Sequence, residues 1–506
     1  MTSRLDYLAS LGVTCLWLLP FHPSPWRDDG YDITDHYGVH PDFGNLGDFV
    51  DLIHQAGDRG IRVIIDLVLN HTSDQHPWFQ AARAGDPRFR DYYIWSKDKP
   101  PDADKGVVFP GVQKTTWSFD RKVGRYYFHR FYDFQPDLNI SNPGVREEME
   151  KIIGFWVQLG ISGFRVDAVP FLIEPAGKKG LHPSPRFDYM HAFRNYMSWR
   201  RGDAVLLGEA NVERDAIEEY YEVGGMHMLF NFSANQRLWL AMARQDATPL
   251  VKALDETAGI PASDQWANFL RNHDEIDLGR LSERERADTF AAFGPQPEMQ
   301  LYGRGIRRRL APMLGDDRAR LELAFSILLT LPGTPVLYYG DEVGMGDDLS
   351  LPERHPVRTA MQWTAERNGG FSGAASEHVQ VPVISKGQFG YRKVNVADQQ
   401  RDSQSLLNWM ERAVRARAEC PEFGTGGWDV IGGRDPSVLA LRYMAGEVSM
   451  IAVHNLAGER RRTALRGAAK KGGTRRELFG NRRYDDEGSP TLELDPYGYR
   501  WLRFGN

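Results

Sequence analysis

The amino-acid sequence predicts an α/β fold, because short apolar runs alternate with helix-like stretches over most of the chain. Runs this continuous are typical of strands buried on both faces, as in a parallel sheet. Most of the stretches between them end near a glycine, a common helix stop. Repeated βα units with polar residues at the carboxyl ends of the strands predict a (β/α)8 TIM barrel. The apolar runs are residues 13–21, 61–71, 163–171, 204–211, 226–232, 266–275 and 334–342.

These runs give seven barrel strands, one fewer than a closed barrel requires. The chain opens with an apparent helix at residues 3–12, which leads directly into the run at 13–21. A barrel would need one more strand before it, so its first strand is predicted to be absent from this chain. Either that strand lies upstream, or the barrel is open on this side and leaves an unpaired edge.

Two further regions accompany the barrel. Residues 72–135 follow the run that would be the third strand of a complete barrel, and loops of this length usually form a functional subdomain. After residue 430, short alternating strands predict a compact all-β domain. The predicted domains are a barrel at 1–71 and 136–429, an inserted loop subdomain at 72–135 and a C-terminal β-sandwich at 430–506.

Charge and composition exclude several classes of partner. The 506 residues carry a formal net charge of −6. That balance lacks the excess of positive charge that binding to nucleic acid or to an anionic membrane surface would need. The basic runs Arg307–Arg309 and Arg460–Arg462 are interpreted as solvated faces. The expected partner is a small-molecule substrate, and homo-oligomerisation stays open.

Location is inferred from cysteine usage and from the apolar runs. The chain has two cysteines, Cys15 and Cys420, in segments that belong to different elements. This predicts no disulfide framework and favours a reducing cytoplasm. No run approaches the 18 or so apolar residues of a membrane span, and no signal peptide is visible at the start. We therefore expect a cytoplasmic protein without a membrane partner.

Two carboxylates end neighbouring predicted strands. Asp167 closes GFRVD with Arg165 two residues before it, so both side chains face the same side. Glu209 ends the next strand. Retaining glycosyl transfer uses two carboxyl groups about 5 Å apart, roughly the spacing of adjacent strands. Arg165 would keep Asp167 ionised as a nucleophile, and Glu209 would be the general acid/base. The alternatives are a structural salt bridge and a surface cap.

A third carboxylate and two histidines stand at other strand ends. Asp274 follows His273 in FLRNHDE, and His71 ends DLVLNH. Asp274 is expected to hold sugar hydroxyls as the ring distorts, and both histidines are expected to hydrogen-bond hydroxyls of the same ring. A single histidine at a strand end is more often structural, but two beside acidic strand ends favour a site.

Four short motifs, taken in order, resemble the signature regions of glycoside hydrolase family 13. That resemblance covers nearly the whole chain. It implies a barrel with Asp167 as nucleophile, Glu209 as acid/base and Asp274 as the third carboxylate. The motifs are DLVLNH (66–71), GFRVDAV (163–169), GEA (208–210) and FLRNHDE (269–275).

Other stretches resemble the members of that family that isomerise maltose to trehalose. They include RDDGYDI (27–33) and VRTAMQW (357–363). The resemblance implies a closed pocket for one glucose, with Asp28 and Tyr31 contacting it and Arg358 holding its far hydroxyls. An α-glucosidase or transglucosidase on small α-linked sugars stays the alternative. A non-catalytic scaffold protein is a third, and it would be expected to have lost the carboxylates.

The resemblance also implies one structural calcium ion and no organic cofactor. Calcium is a hard cation that prefers oxygen ligands. The alternative is a hydrogen-bond network without an ion. The implied ligands are Asn70, Asp137, the carbonyls of Phe171 and Leu172, and Glu174.

Overall fold

The computed structural model describes residues 1–174, 186–223, 225–261, 263–431, 435–464, 474–486, 489 and 491–505. The chain divides into two compact units. The first comprises Met1–Phe230 and Gly259–Gln265, and the second comprises Asn231–Ala258 and Trp266–Asn506. Each contains parallel strands accompanied by helices, so the α/β prediction is confirmed.

The first unit contains a parallel sheet in the order β1-β2-β6-β7-β8. A separate antiparallel sheet, β3-β5-β4, lies within the predicted loop subdomain, whose boundaries stay a prediction. The strands are β1 (Cys15–Leu18), β2 (Arg62–Leu67), β3 (Trp95–Ser96), β4 (Trp117–Asp120), β5 (Arg125–Phe128), β6 (Gly163–Val166), β7 (Val205–Gly208) and β8 (Met228–Phe230).

The helices of this unit begin at residues suited to helix starts. Asn45 caps α2 with a capping box, and its side chain accepts from the Asp48 backbone N–H. Proline occupies the first turn of α3 and of α4, where its missing N–H is not needed. The helices are α1 (Leu5–Leu11), α2 (Leu46–Asp58), α3 (Pro77–Ala84), α4 (Pro143–Gln158), α5 (Val169–Ile173), α6 (Phe187–Ser198) and α7 (Arg214–Glu222).

Gly163 sets the approach of β6 to β7. Its φ is 146°, and a Cβ placed there would lie 2.1 Å from the Val205 carbonyl oxygen. No side chain fits that gap, so only glycine lets the two strands pair at this point. The strand that carries Arg165 and leads to Asp167 is thereby aligned with the strand that leads to Glu209.

The second unit contains the two remaining parallel strands, β9 and β13, which pair with Ala267 opposite Thr334. With the five of the first unit, all seven predicted strands are present. The additional strands of this unit before residue 427 form a small antiparallel sheet. The strands are β9 (Gln265–Phe269, with Gln265 in the first unit), β10 (Ile276–Asp277), β11 (Gln300–Leu301), β12 (Gly305–Ile306) and β13 (Thr334–Val336).

The helices of the second unit include a long apolar one, α12, in which nine residues are buried. A helix that is apolar nearly all round belongs in a core rather than on a surface. The helices are α8 (Phe232–Arg244), α9 (Thr248–Glu256), α10 (Glu283–Phe293), α11 (Leu310–Met313), α12 (Arg318–Thr330), α13 (Val396–Arg401), α14 (Leu406–Ala418) and α15 (Glu422–Thr425).

The predicted all-β C-terminal region consists of antiparallel sheets. A five-stranded sheet has the order β14-β15-β16-β20-β18, and β17 pairs with β19. Both sheets contribute to one apolar core, which includes Val453 and Leu494. The strands are β14 (Gly427–Val430), β15 (Val438–Ala445), β16 (Val448–Asn455), β17 (Arg461–Ala464), β18 (Thr474–Gly480), β19 (Thr491–Leu494) and β20 (Tyr499–Gly505).

The interpretation of Arg307–Arg309 as a solvated face is wrong. Arg309 is 0 % exposed, with its guanidinium 4.5 Å from the Tyr338 ring centroid and bonded to Asp341 at 3.1 Å. Arg307 and Arg308 are half-buried. Arg309 is buried with its Nη1 donating to the Tyr339 carbonyl and to Asp341, and its guanidinium lies over the Tyr338 and Tyr339 rings. Arg460–Arg462 does face solvent at its first and third residues.

In the part of the chain that the structure describes, no helix has the length and apolar character needed to cross a lipid bilayer.

Candidate active site

A buried guanidinium organises the site in the first unit. Arg165 is 1 % exposed, and its Nη1 lies 2.8 Å from Asp66 Oδ1 and 2.5 Å from Asp167 Oδ1. Its Nη2 lies 2.6 Å from Glu209 Oε1. Burial opposes its charge, but the carboxylates around it raise the Arg165 pKa well above its ordinary value. One cation therefore holds three carboxyl groups, including the predicted nucleophile and acid/base.

Asp66 is a site residue that the sequence analysis did not single out. Its Oδ2 accepts from the Tyr31 hydroxyl and from Trp17 Nε1, each at 3.2 Å. Burial raises the pKa of Asp66 to about 6, and Arg165 works against that rise. The sequence signal that could have found it is its position as the first residue of the motif DLVLNH. In the structure, Asp66 lies opposite Arg165 in the pairing of β2 with β6.

Glu209 is fixed by a strained backbone. Its Oε2 accepts from the Ala168 N–H at 3.1 Å. Ala168 has φ 46°, a left-handed conformation that costs a non-glycine residue about 1 kcal/mol or more. It lies between Asp167 and α5. The turn after β6 therefore positions the nucleophile candidate and also supplies a donor to the acid/base candidate.

The residues expected at the glucose end lie close together in the same unit. Tyr31 donates its hydroxyl to Asp66, and its carbonyl accepts from His71 Nε2 at 3.1 Å. Asp28 Oδ2 accepts from Gln135 Nε2 at 2.9 Å. Burial lowers the pKa of His71 to about 4, although Asp28 works against this. His71 is therefore a neutral ring whose Nε2 carries the proton.

The implied calcium ligands lie around a buried carboxyl group, that of Asp137. Asp137 Oδ1 accepts from the Arg130 backbone N–H at 2.8 Å, and burial raises the Asp137 pKa to about 7. A cation would stabilise its ionised form, and the implied donors are all oxygens, as calcium requires. Among the described residues, no group of three or more His, Cys, Asp or Glu is arranged to hold a metal. The donors fit, and the ion stays a prediction.

In the second unit, two arginines converge on Asp274. Its Oδ1 accepts from Arg354 Nη1 at 2.7 Å and from Arg358 Nη2 at 2.8 Å. His273 Nε2 lies 3.4 Å from Asp274 Oδ2, and the His273 carbonyl accepts from Arg358 Nε at 2.8 Å. Arg354 was not singled out from the sequence, and no motif pointed to it, because its partner is 80 positions away.

The structure thus brings the predicted residues together in two sets. In the first unit, Arg165 directly joins Asp167 and Glu209. In the second unit, Asp274 joins His273 and Arg358. Within each set the bonds are charge-assisted and largely buried, which gives them a fixed geometry. The roles of the individual residues stay predictions.

Parallel strands that end in paired carboxylates beside an arginine are typical of barrel glycoside hydrolases. Residues 1–291 and 306–426 match the family model described as "Alpha amylase, catalytic domain". The chain belongs to this alpha-amylase family, glycoside hydrolase family 13, and is an enzyme of that family.

Among its relatives is the "Trehalose synthase/amylase" of Mycobacterium tuberculosis, which is 43 % identical over 90 % of this chain and 77 % of its own. The "Trehalose synthase" of Pimelobacter sp. is 39 % identical over 99 % of this chain and 91 % of its own. A solved trehalose-6-phosphate hydrolase of Bacillus licheniformis covers 100 % of this chain and 94 % of its own. Its TM-score is 0.80 at 23 % identity, so it supports the barrel fold alone.

Proposed function

We propose that the chain catalyses retaining α-glucosyl transfer on small α-linked glucosides, and chiefly the isomerisation of maltose to trehalose. The observation that carries the proposal is the guanidinium of Arg165, which contacts Asp167 and Glu209 at once. It holds two carboxyl groups together at neighbouring strand ends, as double displacement requires. The names of the relatives described above support the choice of maltose and trehalose.

In the first step, an Asp167 carboxylate oxygen attacks the anomeric carbon of the non-reducing glucose. The bond from that carbon to the glycosidic oxygen breaks, and Glu209 gives its proton to the departing oxygen. Glucose is released within the pocket, and a glucosyl ester on Asp167 remains. Arg165 stabilises the Asp167 carboxylate before the attack because it is a fixed cation in a buried place.

In the second step, the anomeric hydroxyl of the retained glucose attacks the anomeric carbon of the glucosyl group bound to Asp167. Glu209 takes the hydroxyl proton, the bond to Asp167 breaks, and trehalose forms. Water can attack the same intermediate and give two glucose molecules. A pocket that keeps glucose in and water out favours trehalose. By resemblance, Asp274 and Arg358 hold the sugar hydroxyls.

We also propose a structural calcium ion. Asn70, Asp137 and Glu174 would supply side-chain oxygens, with the carbonyls of Phe171 and Leu172. When bound, the ion would neutralise the carboxylates of Asp137 and Glu174 and tie the loop after β2 to the end of α5. The proton and bond changes described above need no metal. A cytoplasmic location stays a prediction, and homo-oligomerisation stays open.

Incubation of the purified chain with maltose, followed by chromatography that resolves trehalose from glucose, tests the function. Trehalose as the main product is expected. Asp167→Ala should abolish both products, whereas Asp188→Asn, which removes an exposed carboxylate paired with Arg186, should leave both unchanged. Glucose without trehalose would replace the proposal with an α-glucosidase. Unchanged turnover by Asp167→Ala would contradict the catalytic assignment altogether.

A further inference from the structure

Residues 347–358 form a loop, called here the arginine loop, that delivers two cations to one carboxylate oxygen. Arg354 and Arg358 both donate to Asp274 Oδ1, at 2.7 and 2.8 Å. The loop has little regular structure beyond a short 3-10 turn at His355–Val357. The position of both guanidinium groups therefore depends on what holds the loop.

The side chain of Arg307 holds the arginine loop by donating to main-chain carbonyls of the loop. Its Nη1 donates to the carbonyls of Leu351 and Glu353, at 2.9 and 3.1 Å, and its Nη2 to the carbonyl of Leu349 at 3.4 Å. Its Nε donates to the Glu298 carbonyl at 2.7 Å. One side chain thus fastens three alternate residues of the loop to the segment before β11.

The same arginine is tied to the strand that follows Asp274. Arg307 comes directly after β12, in which Ile306 pairs with Ile276 of β10. Ile276 lies two residues after Asp274. Asp274 and Arg307 therefore flank one pair of hydrogen-bonded strands, β10 and β12. This pairing fixes the position of the arginine loop relative to Asp274.

A strained contact reinforces this anchor beside Arg354. Tyr302 donates its hydroxyl to Glu353 Oε2 at 2.9 Å. Both residues have left-handed backbones, with φ 55° for Tyr302 and φ 41° for Glu353. Strain at a non-glycine residue persists only where the surroundings enforce it, and it clusters at functional loops. The loop is held in a conformation that it would leave if the anchor were lost.

We propose that Arg307 is a positioning residue that sets the ratio of transfer to hydrolysis. Its bonds go to main-chain carbonyls of Glu298 and of the arginine loop, so it would act through that loop. It fixes the arginine loop so that Arg354 and Arg358 hold Asp274, the group proposed to grip the sugar. A loosened grip lets the released glucose leave and water enter before the second attack. The inference rests on the proposed function.

Arginine is needed here because its planar fork reaches several carbonyls at once, whereas a lysine ammonium is a single point. The test therefore compares Arg307→Lys and Arg307→Ala with the unaltered chain on maltose. The trehalose-to-glucose ratio should fall at least about five-fold, which corresponds to the loss of one hydrogen bond of about 1 kcal/mol. Ethylguanidinium added to Arg307→Ala should restore part of the ratio.

The ratio of two products from one intermediate does not depend on how much of the variant is folded. A variant that loses total activity at an unchanged ratio would overturn the inference and leave Arg307 a merely structural residue. Arg244→Gln is the matched control, because it removes an exposed arginine paired with Asp288 at 2.7 Å. It should leave the ratio unchanged.

Failure of the proposed function is recognised separately, since the unaltered chain would then give glucose alone. In that case the readout becomes the kinetics of maltose hydrolysis. Arg307→Lys should raise KM about five-fold or more, because the loosened Asp274 would hold the hydroxyls of the bound sugar less firmly. An unchanged KM would overturn the inference on this reading as well.

Discussion

Arg165 places one positive charge against three carboxyl groups, those of Asp66, Asp167 and Glu209. Three ionised carboxylates would leave a net local charge of −2 in a buried place. Like charges raise one another's pKa values, so such a cluster retains a proton near neutral pH. Asp66 does no chemistry in the proposed reaction, yet it competes for the cation that its neighbours share.

Removing the charge of Asp66 should shift the pH dependence of activity. In Asp66→Asn, Arg165 would act only on Asp167 and Glu209, and the general acid would lose its proton more easily. The basic limb of the kcat/KM profile should move down by about one pH unit. The profile is measured with an aryl α-glucoside. Asp188→Asn should leave the limb in place, and an unmoved limb in Asp66→Asn would show that Asp66 does not tune the acid.

The left-handed backbone of Ala168 gives a second residue-scale prediction. A β-branched side chain is poorly tolerated at φ 46°, whereas glycine adopts that conformation freely. Ala168→Val should therefore lower the free energy of unfolding by about 1–3 kcal/mol, and Ala168→Gly should change it by less than about 1 kcal/mol. Urea denaturation followed by fluorescence measures both. Equal losses in the two variants would mean that the turn is not strained.

At the scale of the element, the apolar runs predicted the strands well but overestimated their length. The run at 61–71 contains β2 only at Arg62–Leu67, and the run at 334–342 contains β13 only at Thr334–Val336. The residues after each strand form the loops that carry Asn70, His71 and Asp341. Apolar content reports burial and does not report where strand pairing ends, so the boundary could not be read from the sequence.

The loop after β2 and the end of α5 should depend on calcium. Asp137 is a buried carboxyl that a bound cation would stabilise as an anion. Removal of the ion with EGTA should lower the thermal unfolding temperature by several degrees, about what a loss of 1–2 kcal/mol gives in a large domain. Added calcium should restore it, but not in Asp137→Asn. A melting temperature that ignores both chelator and calcium would favour a hydrogen-bond network without an ion.

At the scale of the whole molecule, acid should destabilise the fold through its buried histidines. Burial lowers the pKa of His22 and of His71 to about 4, and that of His454 to about 3. In the unfolded chain each of these histidines binds a proton as the pH falls through about 6.5, whereas in the folded chain it stays neutral there. Stability is therefore complete above about pH 6.5 and falls as the pH drops, by about 1.4 kcal/mol per pH unit for each histidine.

Urea midpoints measured at pH 7.5, 6 and 5 test this expectation. His454→Gln should reduce the slope by about one histidine's share, because the side chain no longer titrates. His54→Gln, at an exposed position on α2, serves as the control and should leave the slope unchanged. Stability that stays flat between pH 7.5 and 5 would show that these rings are protonated in the folded chain.

The sequence could predict the fold class, the seven strands and the pairing of Asp167 with Glu209 near Arg165. The fold class and the strands follow from apolar runs that recur along the chain, and the placement of Arg165 beside Asp167 follows from the alternation of side chains along a strand. It could not predict the burial of Arg309 or the bond from Arg354 to Asp274. Both depend on contacts across long stretches of chain, and a charged residue in isolation indicates solvent rather than a core.

The anchoring by Arg307 has a consequence for how the arginine loop can change over time. All its bonds to the loop end on main-chain carbonyls, at Leu349, Leu351 and Glu353. A carbonyl is present whatever side chain accompanies it. The tether therefore places few demands on the identity of residues 349–352, so that segment is open to mutational drift and to randomised libraries seeking new acceptors while its backbone path is kept.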